Sequence, residues 1–386
     1  MTTYILILII IILFLVYDFF PVLRPIIERN FKNKKSNSKE TSMDDIINAS
    51  FEMISTNRVS QFWTKKGNPS FTRMLLKIIR DRGVQRFDEF KIFNYPKGFL
   101  ILGLVTYFKK VGDNTRLNIL KGKFDELYLD NNGQPLFIIN RVDQSPFATA
   151  SLMFYNIYKE EKYRNFADLM YKYIVSMEDE DTGLIKYRKS SNTYFNDTLG
   201  MIIPFLVKYY EITQDVRVLN ICKNQIDFYN NYGLDEYSHL PVHGINMSYN
   251  NLKVGSANWG RGVGWYFYGL SSLNKITNSY SKEIQALENT LNTLKTHDGL
   301  WTQFPGSSNK YDASTTTMIL ASLTLFDMTK YNKADIFKSL SKYIDNKGYV
   351  LETSGDTLGV NEYSRDFGTS ELSQGFLLLT LANLKD

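Results

Sequence analysis

Five side chains that can hold a charge or pass a proton stand at or near the starts of apolar stretches. They are Asp143 in NRVDQSPFATASLMFY, Asp197 in NTYFNDTLGMIIPFLVKYYEITQD, His243 in LPVHGIN, Arg261 in SANWGRGVGWYFYGL and Asp312 in YDASTTTMIL. Two carboxylates in one cleft can divide acid and base duties if one keeps a proton and the other stays ionised. Arg261 offers a planar fork for a carboxylate. Gly260, Gly262 and Gly264 around it permit close backbone approach or unusual dihedrals, and Trp259 and Trp265 bracket it with large faces. Each residue also has a plainer reading. Asn196 or Asp197 can be a helix N-cap that accepts an unpaired backbone N–H, the other aspartates can be caps, and Arg261 can be a structural ion-pair partner.

Whether these residues meet depends on the elements that carry them. After Asp197, Leu199, Ile202, Ile203, Leu206, Tyr209 and Tyr210 recur at three- and four-residue spacing, which predicts a helix with one buried face. From Pro96 onward the chain repeats one unit: an apolar helix, a polar break, an amphipathic helix, a glycine turn and an extended aromatic loop. The breaks align as TYFKKVGDNTR, FYNIYKEEKYR, KYYEITQDVRV, SLNKITNSYSK and TLFDMTKYNKA. The turns fall at Gly133, Gly183, Gly233, Gly299 and Gly348, at intervals of 50, 50, 66 and 49 residues. A period of this length signals a repeat architecture.

Two further helices are expected at Asp44 to Arg58 and Phe71 to Arg82. With them the units make six hairpins if the last helix, Ser370 to Leu384, closes on the first. The expected fold is all-α, an (α/α)6 toroid or six-hairpin barrel, with strand confined to short aromatic stretches such as GLIKYRK and GLWTQF. An open helical solenoid is the alternative. The long loops at one end of each inner helix favour the ring, because they would meet over a single mouth.

The chain has 386 residues and a net charge of +5. Residues 41–386 hold 39 basic and 37 acidic side chains, so no basic stripe tracks a nucleic acid. The excess sits in Arg24, Arg29, Lys32, Lys34, Lys35 and Lys39, just behind the apolar run from Tyr4 to Tyr17. With Phe19, Phe20, Val22 and Leu23 that run approaches the ~20 residues a spanning helix needs, and no positive region precedes it as in a cleaved signal peptide. The expected organisation is a membrane anchor over 1–24, a basic linker over 25–43 and one globular domain over 44–386. Positive charge behind the anchor favours a cytoplasmic body, with the opposite orientation as the alternative.

One cysteine, Cys222, excludes an intrachain disulfide and a multi-thiolate zinc site. Only three histidines, His239, His243 and His297, argue against an isomerase built on histidine pairs. The 26 Tyr, 26 Phe and 4 Trp include loop aromatics able to stack on sugar rings.

Over Pro96 to the C-terminus the sequence resembles the unsaturated glucuronyl and unsaturated rhamnogalacturonyl hydrolases, glycoside hydrolase families 88 and 105. An Asp leading an apolar helix with a proline and a Tyr-x-x-x-Thr ending corresponds to Asp197 to Thr213. Trp-x-Arg-Gly-x-Gly-Trp corresponds to Trp259 to Trp265, and Asp-Gly-Leu-Trp-x-Gln to Asp298 to Gln303. The earlier family Asp resembles Asp143, and the family His resembles His243.

The resemblance implies an (α/α)6 barrel that needs no metal or cofactor and acts on an oligosaccharide ending in a 4,5-unsaturated uronate. It implies Asp197 as proton donor to C4, assisted by Asp143. His243, Trp259, Arg261, Trp265, Trp301 and Asp312 are then expected to contact substrate. Val263 replaces the usual Asn, Asp312-Ala313-Ser314 replaces Glu-Thr-Ser, and Phe147 and Ala148 lie where a glycine is expected. The alternatives are a glycosidase on saturated sugars and a membrane-tethered, non-catalytic glycan-binding or polysaccharide-assembly factor.

Overall fold

A computed structural model describes residues 4–14, 16, 41–55 and 94–384, apart from 309, 358, 365 and 366. Among the described residues after 40, twelve α-helices can be numbered in chain order. The even-numbered ones are α2 (Tyr95–Val111), α4 (Ser145–Tyr158), α6 (Asn196–Thr213), α8 (Gly260–Thr277), α10 (Ala313–Phe326) and α12 (Glu371–Asn383). The odd-numbered ones are α1 (Met43–Ser55), α3 (Asn114–Tyr128), α5 (Glu161–Val175), α7 (Val216–Tyr232), α9 (Ser281–Thr293) and α11 (Lys333–Ser341).

The two sets differ in how they bury their residues. In α12 every residue from Glu371 to Ala382 is buried, so this helix has no solvent face. Helix α5 buries Tyr163, Phe166, Ala167, Met170 and Ile174, a three–four stripe with charged residues opposite. Each even helix packs on the next, and α12 packs on α2, which closes an inner ring of six. The odd helices pack outside it. Helix α1 lies against α2 and α12 and supplies the outer member of the sixth hairpin.

Closure has a polar lock. Gln374 on α12 donates to the carbonyls of Ile46 (3.2 Å) and Gly348 (2.9 Å) and accepts from Val350 N–H (3.0 Å). At the α2–α12 contact, a Cβ added to Gly103 would lie 2.4 Å from the Gly375 carbonyl oxygen, and one on Gly375 would lie 2.4 Å from that of Phe99. Only glycine allows these helices to approach so closely.

The expected closed ring is therefore present, and the expected helix at Asp44 is found at Met43–Ser55. The one expected at Phe71 to Arg82 lies outside the described residues. Gly133, Gly183, Gly299 and Gly348 have positive φ, while Gly233 sits at φ −106. Beside four of the five turns an aspartate ties the loop to itself: Asp130, Asp179, Asp235 and Asp345 each accept backbone N–H bonds two to four residues on.

Strand falls elsewhere than expected. β1 (Thr193–Phe195) pairs antiparallel with β2 (Gly244–Asn246), and β2 with β3 (Leu252–Val254). β4 (Thr353–Ser354) pairs with β5 (Phe367–Gly368). GLIKYRK and GLWTQF contribute only single bridges, Glu178 to Ile185 and Thr302 to Tyr311.

Residues 4–14 are helical with every side chain exposed. Among the described residues no helix is long and apolar enough to cross a membrane. Most of the remainder of the expected 1–24 anchor, and most of the linker, lies outside the described residues.

Candidate active site

The loops that enter the inner helices meet at one end of the ring. Helix N-termini carry partial positive charge there, which favours carboxylates near them by about 0.3–1 kcal/mol each. Asp197 lies in the first turn of α6, yet it does not cap it: the entry residue is Phe195 and no side chain closes that end. Asn196 donates from Nδ2 to the Val242 carbonyl (3.0 Å) and from its backbone N–H to the His243 carbonyl (3.1 Å). The capping reading of Asp197 therefore falls. Its Oδ2 lies 3.3 Å from His243 Nε2, within ion-pair range but not aligned as a hydrogen bond.

The small sheet explains this meeting. Phe195 is paired with Gly244, so the residue entering α6 and the residue following His243 are held side by side. Asp197 and His243, distant in sequence, are thereby brought into contact. His243 is 3% exposed and packs its ring against Trp259, centroids 4.4 Å apart.

Asp143 sits in a short 3-10 turn before α4 and is 2% exposed. Its Oδ2 accepts from the Tyr187 hydroxyl at 3.0 Å, while Oδ1 has no protein partner. Burial pushes its carboxyl up to about 6; nearby Arg141, the Tyr187 hydroxyl and Arg188 oppose that rise and Asp356 adds to it. Tyr187 is held well above the ordinary phenol range, chiefly by burial and then by Asp143, Asp197 and Asp356, so it remains a donor.

Sequence reasoning missed four members of this cluster: Asp356, Tyr95, Tyr187 and Tyr363. Asp356 comes from the loop after β4, where it accepts from the Tyr95 hydroxyl (3.2 Å) and lies 3.8 Å from Arg261 Nη2. Burial raises its carboxyl, Arg261 lowers it and Asp197 raises it further. Tyr363 accepts from Ser256 N–H (2.9 Å), and its ring lies near those of His243 and Trp259. The available signal was the repeat itself. The sixth inner helix also needs an entry loop, GDTLGVNEYSRDFG, and that loop holds Asp356 and Tyr363.

Arg261 is 1% exposed and braces this sixth loop. Nη1 donates to the Ser354 carbonyl (2.9 Å) and Nη2 to that of Gly355 (2.6 Å). Gly262 follows it where a Cβ would strike the Trp259 ring at 2.5 Å and Asn196 Nδ2 at 2.6 Å.

Three expected contacts are corrected. Asp312 is fully buried and caps α10, accepting from Ser314 N–H and Oγ, Thr315 Oγ1, and Ser354 N–H and Oγ at 2.7–3.1 Å. A carboxylate so saturated is an anchor for the Ser354 loop, not a sugar ligand. Trp265 is 1% exposed and packs on Tyr95, Phe99 and Phe376. Trp301 is wholly buried, with its indole N–H on the Leu291 carbonyl at 2.8 Å. Neither tryptophan has a face to give a sugar. Trp259 is likewise buried, but it lies beneath His243 and its Nε1 has no protein partner.

The cluster thus brings together Asp143, Asp197, His243, Trp259 and Arg261 of the expected set and excludes Trp265, Trp301 and Asp312. Four of its buried polar atoms, Asp143 Oδ1, Asp197 Oδ2, His243 Nδ1 and Trp259 Nε1, form no hydrogen bond within the protein. Such atoms are costly unless a ligand or water engages them. Acid, base and positioning groups at one mouth suit proton transfer to a bound polar molecule.

Residues 70–367 match the family described as Glycosyl Hydrolase Family 88. No protein of curated function matches the sequence. Among solved structures, one from Salmonella enterica serovar Paratyphi A, described as a possible member of glycoside hydrolase family 105, superposes with a TM-score of 0.70. It shares 16% identity, over 90% of this chain and 95% of that one. A family 105 glycoside hydrolase of C. acetobutylicum gives 0.65 at 15% identity over 80% and 96%. An unsaturated glucuronyl hydrolase specific for heparin gives 0.63 at 16% identity over 88% and 93%. At these identities the likeness establishes the fold.

Proposed function

We propose that this chain, a glycosidase that belongs to glycosyl hydrolase family 88, removes a terminal 4,5-unsaturated uronyl residue by hydrating its enol ether. The observation that carries this reading is the contact of Asp197 with His243, 3.3 Å apart, with the Asp197 carboxylate released from any capping duty.

In the proposed reaction Asp197 in its acid form gives its proton to C4. The C4=C5 electron pair forms the new C–H bond, and positive charge develops at C5, shared with the ring oxygen. Water adds at C5 and returns a proton to Asp197, now the base. The resulting hemiketal opens to a C5 ketone, and the C1 hemiacetal so exposed expels the neighbouring sugar as an alcohol. Positioned proton transfer of this kind contributes about 10²–10⁴-fold in rate. Asp143, whose burial raises its carboxyl to about 6, and Tyr187 hold a ring hydroxyl beside the reacting carbons. His243 orients the Asp197 carboxylate, and Arg261 keeps the sixth loop in place.

The test is incubation with a panel of 4,5-unsaturated uronyl disaccharides while the enoate absorbance is followed. Loss of absorbance with release of the second sugar is expected. Binding to intact glycan without loss across the panel favours a non-catalytic glycan-binding factor instead.

We further propose that residues 1–24 tether this domain, residues 44–386, to a membrane with its body cytoplasmic. The exposed apolar helix at residues 4–14 supports a tether, and the basic residues behind it support the side. A C-terminal reporter that reads an external location overturns the orientation.

A further inference from the structure

Arg261 is the guanidinium that meets Asp356 at the mouth, and its charge is already engaged; Arg141 and Arg188 lie nearer Asp143. Besides the Ser354 and Gly355 carbonyls it faces Asp356, whose Oδ1 lies 3.8 Å from Nη2. The Tyr95 hydroxyl donates to the same oxygen at 3.2 Å. A carboxylate brought by a ligand must therefore compete with Asp356 for the field of Arg261, and it joins Asp143 and Asp197, each left with an unpaired buried oxygen. A further anion in a buried cluster of carboxylates is disfavoured unless one of them takes a proton.

We propose that Asp356 is the charge gate of this site: an anionic sugar enters as Asp356 accepts a proton and gives up its claim on Arg261, so binding the anion takes up a proton. The proposal rests on the reading that the ligand carries a carboxylate. The groups that face Asp356 are Arg261 from α8, Tyr95 from α2, Asp197 from α6, and Asp143 and Tyr187 from the loops before α4 and β1. Asp356 is the carboxylate nearest the cation among them and meets it directly, which makes it the acceptor. The raised carboxyl of Asp356 fits the same role. Its loop is held independently by Asp312 and Arg261 through Ser354 and Gly355, so loss of the charge leaves the loop anchored.

The test uses the full chain and D-glucuronate, a saturated carboxylate sugar that the proposed hydration cannot consume. Calorimetric titrations from pH 5 to 8, in pairs of buffers with different ionisation enthalpies, count the protons taken up on binding. Wild type is expected to take up close to one proton per glucuronate, with Kd rising by up to about tenfold per pH unit through the titration of Asp356. Asp356→Asn is expected to take up almost none, to bind with a flat pH profile and to bind more tightly than wild type at pH 8.

Tyr95→Phe keeps the carboxylate but removes a hydrogen bond that stabilises its charged form, so its proton uptake is expected to shift to higher pH. This variant reports on the gate even if Asp356→Asn folds poorly. Uptake that persists in Asp356→Asn overturns the proposal. So does an absence of glucuronate binding to both wild type and Asp356→Asn. Proton-linked glucuronate binding without cleavage of any unsaturated uronide leaves the gate standing and ends the hydration reading instead.

Discussion

Asp143→Asn should make the protein more stable at pH 8 while removing activity. Burial raises this carboxyl from 3.8 to about 6 in the folded state. Because the folded value lies above the unfolded one, the associated stability is fully present below pH 3.8 and is lost as pH rises through about 6. A two-unit shift corresponds to about 3 kcal/mol. The residue is 2% exposed, so solvent screening takes little from that figure. Asparagine is neutral throughout and can still accept from Tyr187. The stability of the variant minus that of wild type should therefore grow by about 2.5 kcal/mol between pH 4 and pH 8.

Urea unfolding at pH 4, 6 and 8 measures this difference, with the midpoints of the two proteins diverging as pH rises. A difference that does not change with pH, or one that narrows towards pH 8, refutes the reasoning. It would mean that Asp143 is ionised in the folded state at the same pH as in the unfolded chain. The expected combination of greater stability with lost activity is the trade expected of a group held strained for function.

Asp312→Ala should cost about 3 kcal/mol or more, because it strands the buried N–H groups of Ser314 and Ser354. It should also lower kcat by releasing the loop that carries Asp356; a pure rise in KM at unchanged stability would instead mark Asp312 as a sugar ligand. Gly375→Ala drives a methyl to 2.4 Å from the Phe99 carbonyl and should destabilise the ring by about 1–3 kcal/mol or more, read as a lowered melting temperature. Asp197→Asn should reduce kcat by about 10²–10⁴-fold with helicity and melting near wild type, since no capping bond is lost; a collapse of the fold would return Asp197 to a structural role.

The ring was legible because a toroid of hairpins writes its period into the chain. Buried inner helices and one-faced outer helices differ in composition, and the breaks between them align. Two aspartates and a histidine could be singled out because each stands at or near the entry to an apolar stretch. The contact of Asp197 with His243 was not legible, since it depends on the Phe195–Gly244 register between strands of only three residues. Asp356 escaped notice because its loop lacks a motif, although the repeat demanded an entry loop there.

Trp265, Trp301 and Asp312 were misplaced for a common reason. Motif residues near a mouth can serve the packing beneath it, and type alone does not separate a stacking face from a core side chain. Val263 and Asp312, two of the departures from the family pattern, are both fully buried. Asp356 and Tyr363, by contrast, reach the cluster itself.

The central claim is that Asp197 delivers a proton to C4 and that the glycosidic bond breaks only as a consequence. Reaction of an unsaturated uronyl disaccharide in deuterated water tests it directly, with products read by mass spectrometry and NMR. Wild type should abolish the enoate and leave one deuterium at C4 from proton donation, and Asp197→Asn should do neither. Release of the second sugar with the C4=C5 bond intact and no deuterium at C4 would contradict it, and would identify direct cleavage at C1.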